Sequence, residues 1–240
     1  MIQDCGIGGN QLQHKKIIGA GCSFIQGCEL GDENSSLGYS VQTYPALIAK
    51  HFDLPYECLA YGGASNTGIA KMILDHDIQD AILMVQWTYE SRIGLQINLD
   101  ADKENKNGIN WFDLAPNNWL FDSKRWTIPT YVKNLIAGGV DKFQENFYKY
   151  AGNDETFLLL TDLAMKSVAY QASQKNAKTI FFSASDNLLG LNGCQGFNGQ
   201  DFVAWANDNN CAIGQYGHPL HEAHRLTADY IIDNVNMFDD

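Results

Sequence analysis

The chain has 240 residues, of which 45% are hydrophobic and 18% are charged, and its formal net charge is −12. This composition is typical of a folded globular protein and excludes a mainly disordered or collagen-like chain. The negative charge repels phosphate backbones, so we expect no nucleic-acid partner. No apolar run approaches the length of about 20 residues that crosses a bilayer, so we expect no membrane partner either.

The first residues of the chain and its cysteines indicate the cellular compartment in which the protein is expected. Residues 1–16 are polar and glycine-rich and lack the layout of a secretory signal. We therefore expect a cytoplasmic or virion-associated protein whose six cysteines stay reduced. No C-x-x-C pair occurs, which argues against a zinc ribbon.

Hydrophobic patterning predicts strands that alternate with helices. The predicted strands are Lys16–Gly21, Tyr56–Tyr61, Asp80–Trp87 and Lys178–Ser183. The predicted helices cover 38–52, a segment starting at Ser65 and Asn66, 131–150, 156–175, a segment starting at Asp201, and 220–235. In the helix over 156–175, the residues expected on the buried side are Leu159, Leu163, Met165, Val168, Ala169 and Ala172.

This alternation predicts an α/β fold, a three-layer α/β/α sandwich with a central parallel sheet. The nearly continuous apolar run Asp80–Trp87 is expected to lie centrally in that sheet. We expect one domain over residues 1–240, with an aromatic and Asn-rich insertion over about 95–130 that forms a lid or wall. The tryptophans at 111, 119 and 126 could line a site for a sugar or acyl chain, or pack the insertion onto the domain.

Ligands of such sheets bind at the carboxyl ends of the strands, which directs attention to 21–27, 62–67 and 86–92. Ser23 follows a strand and a glycine, a position that can expose its hydroxyl and leave its backbone N–H pointing at an incoming oxygen. A serine in a turn can equally bond to its own local backbone. A serine nucleophile also needs a base, and His218, just before the closing helix, is the candidate.

His218, His221 and His224 raise the alternative of a metal site. A zincin helix places two histidines four residues apart around a glutamate, whereas His221 and His224 are three apart. We therefore expect no metal, and no G-x-G-x-x-G or Walker loop indicates a nucleotide cofactor.

These segments resemble the blocks of the SGNH or GDSL hydrolases. Gly21-Cys22-Ser23-Phe24 is similar to the first block, His218-Pro219 to the last, and 60–66 to the second, with Gly63 as the best match for its glycine. Phage-encoded and bacterial members with a Gly-Cys-Ser-Phe opening are the most similar. The resemblance implies a flavodoxin-like SGNH hydrolase fold and a serine esterase or deacetylase that needs no cofactor. Ser23 would be its nucleophile, His218 its base, and the N–H groups of Ser23 and Gly63 would form its oxyanion hole.

The chain departs from the family pattern at three points. Cys22 replaces the aspartate before the serine, and the third block, over 86–90, lacks its asparagine. Asn66 could supply the missing oxyanion donor, with Thr88 as a weaker substitute, or Asn66 could simply cap a helix. Gln215-Tyr216 stands where an acid normally precedes the histidine, so a backbone carbonyl could orient the ring instead. Asp186 is interpreted as a solvated loop acid.

Thr88, Trp87 and Arg92 lie near the predicted site and are candidate substrate-binding residues. Arg92 could hold an anionic substrate or form an ion pair with Glu90. The first hypothesis is therefore hydrolysis of a small-molecule ester, with an acetylated carbohydrate as one candidate. The alternative is a non-enzymatic carbohydrate-binding or virion structural protein with the same fold. The sequence does not indicate the oligomeric state.

Overall fold

The structure is a computed structural model that describes residues 14–96, 111–114, 149–150 and 153–238. Its strands are β1 (Lys16–Gly21), β2 (Tyr56–Ala60), β3 (Ala81–Trp87), β4 (Ile93–Gln96), β5 (Trp111–Leu114) and β6 (Lys178–Ser183). Its helices are α1 (Ser23–Gln26), α2 (Tyr44–His51), α3 (Asn66–Leu74), α4 (Asp154–Gln174), α5 (Phe202–Asp208) and α6 (His221–Asn234). Short 3₁₀ turns cover Asp186–Leu188 and Leu191–Gly193.

The main sheet is parallel and has the strand order β2-β1-β3-β6. This arrangement confirms the predicted α/β class and all four predicted strands. Strand β3 lies between two other strands and all seven of its residues are buried, which explains its unbroken apolar pattern. Within the predicted insertion, β4 and β5 pair as a separate antiparallel ribbon. The rest of the insertion, including Trp119 and Trp126, lies outside the described residues, and so do residues 131–148 of the helix predicted over 131–150.

Two helix pairs cover the sheet: α3 packs with α4, and α2 packs with α6. Helix α4 begins at Asp154, two residues before its predicted start, and the Asn153 side chain caps it by accepting the N–H of Thr156 at 2.8 Å. Its predicted buried side is partly wrong. Leu159 and Leu163 are 56% and 51% exposed, while Phe157, Thr161 and Ala164 are buried instead, because the face toward the sheet is rotated from the one we chose.

Helix α2 is shorter than predicted. It begins at Tyr44 rather than near residue 38, with Thr43 at its N-cap and a proline in its first turn. Within α6, His224 is buried against Tyr44 and accepts the backbone N–H of Tyr44 on Nδ1 at 3.2 Å. Burial, together with repulsion from His221 and His218, lowers the pKa of His224 to about 3. The ring is therefore neutral at ordinary pH and acts as a core acceptor.

In the described ranges, no helix is both long and apolar enough to cross a membrane. The same ranges hold no cluster of three or more His, Cys, Asp or Glu side chains arranged for a metal ion. Five cysteines are described, and each is a free thiol.

Candidate active site

Ser23 lies at the carboxyl end of β1, where it is the first residue of α1 and is partly exposed. Its backbone N–H has no partner within α1, because the first amides of any helix lack one. Cys22, which precedes it, is 1% exposed and packs in the core. The turn therefore presents the serine while the residue before it anchors the turn.

His218 is brought beside this turn from the far end of the chain. Its ring meets the ring of Phe24, the residue after Ser23, edge-on with the centroids 5.6 Å apart. Phe24 packs in turn on Phe202 at 5.7 Å. No hydrogen bond in the described structure joins the Ser23 hydroxyl to His218. The contact that is present places the His218 ring against the residue that follows Ser23.

Glu29 contacts the other side of this imidazole. Its Oε2 lies 2.6 Å from Nδ1 of His218, and the backbone N–H of Tyr216 donates to both carboxylate oxygens at 3.1 and 3.2 Å. Glu29 was not among the predicted site residues, because the acid was expected just before the histidine. The available signal was a glutamate six residues after the predicted nucleophile, two residues beyond the segment 21–27 predicted to belong to the site.

A tight turn after β2 lies against the same loop. The Ala64 N–H donates to the Tyr61 carbonyl at 3.3 Å, and Gly63, third in the turn, has φ 80°. That backbone angle is the one a type II turn requires at this position, and it favours glycine. A Cβ on Gly62 would lie 3.4 Å from Oε1 of Gln26 in α1, so the turn and the Ser23 segment are adjacent.

Asn66 has a different role from the one predicted. It is 1% exposed, and its side-chain nitrogen donates to the Thr88 carbonyl and to Thr161 Oγ1, both at 3.0 Å. Its Oδ1 accepts the Thr88 N–H at 2.8 Å. Both amide hydrogens are occupied, so the predicted oxyanion donor is instead a clamp between α3, the end of β3 and α4. The helix cap is Ser65, which accepts the N–H of Gly68.

The three predicted substrate-binding residues also lie in the interior. Trp87 and Thr88 are fully buried, and Arg92 is 7% exposed. The Trp87 ring packs edge-on against Phe181 at 5.4 Å, and the Arg92 guanidinium lies 5.3 Å from the centre of the Tyr89 ring. This burial leaves almost none of their surface open to a substrate.

Carboxylates follow β3 and β6 at the same edge. Glu90 accepts hydrogen bonds from Ser185 Oγ at 2.9 Å and from Asn187 Nδ2 at 2.6 Å. Asp201 caps α5 by accepting the N–H groups of Val203 and Ala204. Burial raises the pKa of Asp201, and its hydrogen bond with Asp186 and the charge of Asp186 add to the rise. Asp186 thus pairs with Asp201, not with the histidine.

No protein-family model matches the sequence, and no curated protein matches it. Several solved structures are similar. A lipolytic protein of the G-D-S-L family from Veillonella parvula is 11% identical, with 92% of this chain and 98% of that chain covered and a TM-score of 0.45. A putative lipolytic protein of the same family from Desulfitobacterium hafniense is 10% identical, with 90% and 97% covered and a TM-score of 0.47. The esterase EstA from Pseudoalteromonas sp. is 10% identical, with 92% and 96% covered and a TM-score of 0.46. Similarity of this size establishes neither family membership nor an activity.

Proposed function

We propose that the protein is a serine ester hydrolase in which Ser23 is the nucleophile and His218 the general base. One observation carries the proposal: the ring of His218 packs on Phe24, directly beside Ser23, at the carboxyl edge of a parallel sheet. Ligands of open parallel sheets bind at this edge.

The reaction would proceed in two balanced steps. Ser23 Oγ attacks the ester carbonyl carbon while His218 takes the hydroxyl proton, and the same proton then passes to the departing alcohol oxygen as the carbon–oxygen bond breaks. Water next attacks the acyl-serine, giving one proton to His218. That proton returns to Ser23 Oγ when the carboxylic acid leaves.

The oxyanion that forms in each step needs preorganised donors. The backbone N–H groups of Ser23 and Gly63 are the candidates, since both residues lie in turns at the carboxyl edge of the sheet. Asn66 is not included, because its amide hydrogens are engaged by Thr88 and Thr161. A two-donor hole of this kind relies on rigid backbone, which avoids the reorganisation that weakens flexible donors.

The charges around the site favour an uncharged substrate. Glu29, Glu90 and Asp186 lie at the same edge of a protein whose net charge is −12, and these carboxylates repel an anionic ester. We therefore propose a neutral ester, with an acetylated carbohydrate as the leading candidate because hydroxyl groups bond well to carboxylate oxygens.

The test is turnover of p-nitrophenyl acetate together with labelling by a fluorophosphonate probe. We expect the wild type to be labelled once, at Ser23, and Ser23→Ala to lose labelling and about 10⁴-fold or more of kcat. Ser36→Ala, an exposed serine of the following loop, is the matched control and should be unchanged. Equal turnover in the wild type and Ser23→Ala would rule out this nucleophile.

A glycan-binding protein without turnover is the second candidate. Two observations favour it: Asn66 is withdrawn into a clamp, and the Ser23 hydroxyl makes no hydrogen bond with the described residues. In that case glycan binding would persist in Ser23→Ala, and the wild type would not react with the fluorophosphonate.

A further inference from the structure

We infer that Glu29 is the positioning residue of the histidine, the role that a carboxylate just before the histidine would otherwise fill. The inference rests on the proposed function, since it concerns how His218 serves Ser23. Glu29 lies in the loop that follows the nucleophile, whereas His218 lies near the other end of the chain. The nucleophile and the orienting acid would thus come from one loop and the base from another.

The contact involves the ring nitrogen that should carry the proton when a histidine acts as a general base. Glu29 Oε2 is 2.6 Å from Nδ1 of His218, and a carboxylate oxygen at this position accepts a hydrogen bond from Nδ1–H, which favours the Nδ1-protonated tautomer. Nε2 is then the unprotonated nitrogen and can accept the serine proton. The side chains of His218 and Glu29 are only 16% and 18% exposed, so water competes little for this bond.

The carboxylate is fixed from the turn that carries the histidine. The Tyr216 N–H donates to both of its oxygens. Gly214 provides the space, because a Cβ at that position would lie 2.6 Å from Glu29 Oε2. One short turn therefore supplies the imidazole, an N–H donor and a recess for the carboxylate.

The loop also holds the Glu29 backbone in an unusual conformation. Glu29 has φ 71°, a left-handed value that residues other than glycine seldom adopt. Its N–H donates to Glu33 Oε1 at 3.1 Å, and Ser40 N–H donates to the Gln26 carbonyl at 2.8 Å, which ties the far end of the loop to α1. Unusual backbone angles that the surrounding contacts maintain are concentrated at functional sites.

The neighbouring thiol does not compete for the histidine. Burial raises the pKa of Cys28 to about 12, and the charges of Cys22, Glu33 and Glu29 contribute to the rise. Cys28 therefore stays a neutral thiol next to the Glu29 carboxylate. The group that contacts Nδ1 of His218 is the Glu29 carboxylate.

The test compares Glu29→Gln with Glu57→Gln. Glu57 forms a second Glu–His pair, with His76 at 2.7 Å, far from Ser23 at the opposite edge of the sheet, and so controls for the loss of a glutamate–histidine contact. For Glu29→Gln we expect kcat for p-nitrophenyl acetate to fall about 10²- to 10⁴-fold and KM to change less than about threefold. Glu57→Gln should leave both constants unchanged.

A second readout does not depend on turnover. The ring-nitrogen ¹⁵N spectrum of His218 should show the Nδ1-protonated tautomer in the wild type and a mixture of tautomers in Glu29→Gln. If Glu29→Gln loses its folded circular dichroism spectrum, Gly214→Ala replaces it, because the new Cβ displaces the carboxylate without removing its charge.

The outcomes separate the two claims. A wild type labelled at Ser23, with unchanged kcat and an unchanged His218 tautomer in Glu29→Gln, overturns the role of Glu29 and leaves the hydrolase proposal standing. A wild type that is neither labelled nor active overturns the hydrolase proposal, and with it the inference that rests on it. Loss of kcat together with tautomer mixing supports both.

Discussion

Each edge of the parallel sheet carries a glutamate–histidine pair, and the two pairs differ in how they are connected. At the amino edge, Glu57 bonds Nε2 of His76 at 2.7 Å and Lys16 Nζ at 3.0 Å. At the carboxyl edge, Glu29 bonds Nδ1 of His218 at 2.6 Å and the backbone N–H of Tyr216, and among the described residues no lysine contacts it.

The two pairs differ in which ring nitrogen of the histidine the glutamate contacts. In the amino-edge pair the imidazole uses Nε2 and its carboxylate is shared with a lysine, and the side chains of His76 and Glu57 are 37% and 38% exposed. This is a solvated ion network of modest energy. The carboxyl-edge pair is more buried, and its carboxylate contacts Nδ1 of His218, so Nε2 is not used by Glu29. A short Glu–His contact therefore indicates catalysis only when the other ring nitrogen faces a reacting group.

The largest effect should come from removing the two imidazoles in turn. His218→Asn should lower kcat/KM for p-nitrophenyl acetate by about 10⁴- to 10⁶-fold, because the proton of Ser23 then has no acceptor. His76→Asn should change it by less than about twofold, since that pair lies at the opposite edge of the sheet. A comparable loss in both variants, at equal folded fraction by circular dichroism, would show that the pairs are not functionally distinct.

Asn66 tests the carboxyl edge as a structural unit. Asn66→Ala removes three buried hydrogen bonds and leaves the Thr88 backbone and Thr161 Oγ1 without these partners. This loss should lower the free energy of unfolding by about 2–4 kcal/mol. Gln79→Ala, which removes an exposed amide bound to Asp80 at the amino edge, should cost less than about 0.5 kcal/mol. Urea denaturation measures both.

The same variants decide between the clamp and an oxyanion role for Asn66. Loss of an oxyanion donor lowers kcat by about 10² to 10³ while the protein stays folded. The clamp predicts that kcat, measured well below the melting temperature, falls less than about tenfold. A 10²-fold loss without destabilisation would restore Asn66 to the oxyanion hole.

The hydrophobic periodicity of the sequence predicted the strands of the sheet correctly, but it did not predict which face of helix α4 is buried. Strand β3 is buried on both sides, so its apolar run identified it without ambiguity. In α4 the exposed Leu159 and Leu163 carry the same apolar signal as the buried Met165 and Val168. The sequence does not show which element packs against which face of a helix. The buried face predicted from the apolar residues alone is therefore rotated about the helix axis from the observed one.

The candidate site was predictable where local chemistry defines it. Ser23 and His218 were predicted as site residues because a glycine turn and a pre-helix position are visible in the sequence. Glu29 was missed because its role arises from a contact between chain-distant loops, and no local pattern requires an acid there. Asn66 was predicted as an oxyanion donor, but its side chain bonds the buried backbone of Thr88. The sequence alone does not distinguish an asparagine in one role from an asparagine in the other.

Gly214 offers a way to loosen the carboxyl-edge pair without changing its charges. The Cβ of Gly214→Ala would lie within 3 Å of both Glu29 oxygens, at 2.6 and 2.9 Å, so the carboxylate must shift. A shift of about 1 Å in a positioning group can cost about 10²-fold in rate, so we expect kcat to fall 10- to 100-fold. In the Glu29→Gln background the same substitution should have little further effect. Independent, multiplying losses would mean that Gly214 acts by another route.

The smallest effect concerns pH and the amino-edge pair. Burial would raise the pKa of Glu57, but hydrogen bonds from His76 and Lys16 outweigh it and hold the pKa below its ordinary value of 4.5. A carboxyl whose pKa is depressed on folding stabilises the protein above the unfolded value, and this contribution disappears as pH falls through the folded value. Because Glu57 is partly exposed, Glu57→Gln should cost less than about 1 kcal/mol at pH 7. Urea denaturation should find that the difference from the wild type narrows as pH falls below about 4.5. A difference that grows on acidification would mean that the carboxylate destabilises the fold, and the amino-edge pair could then no longer be described as a stabilising ion network.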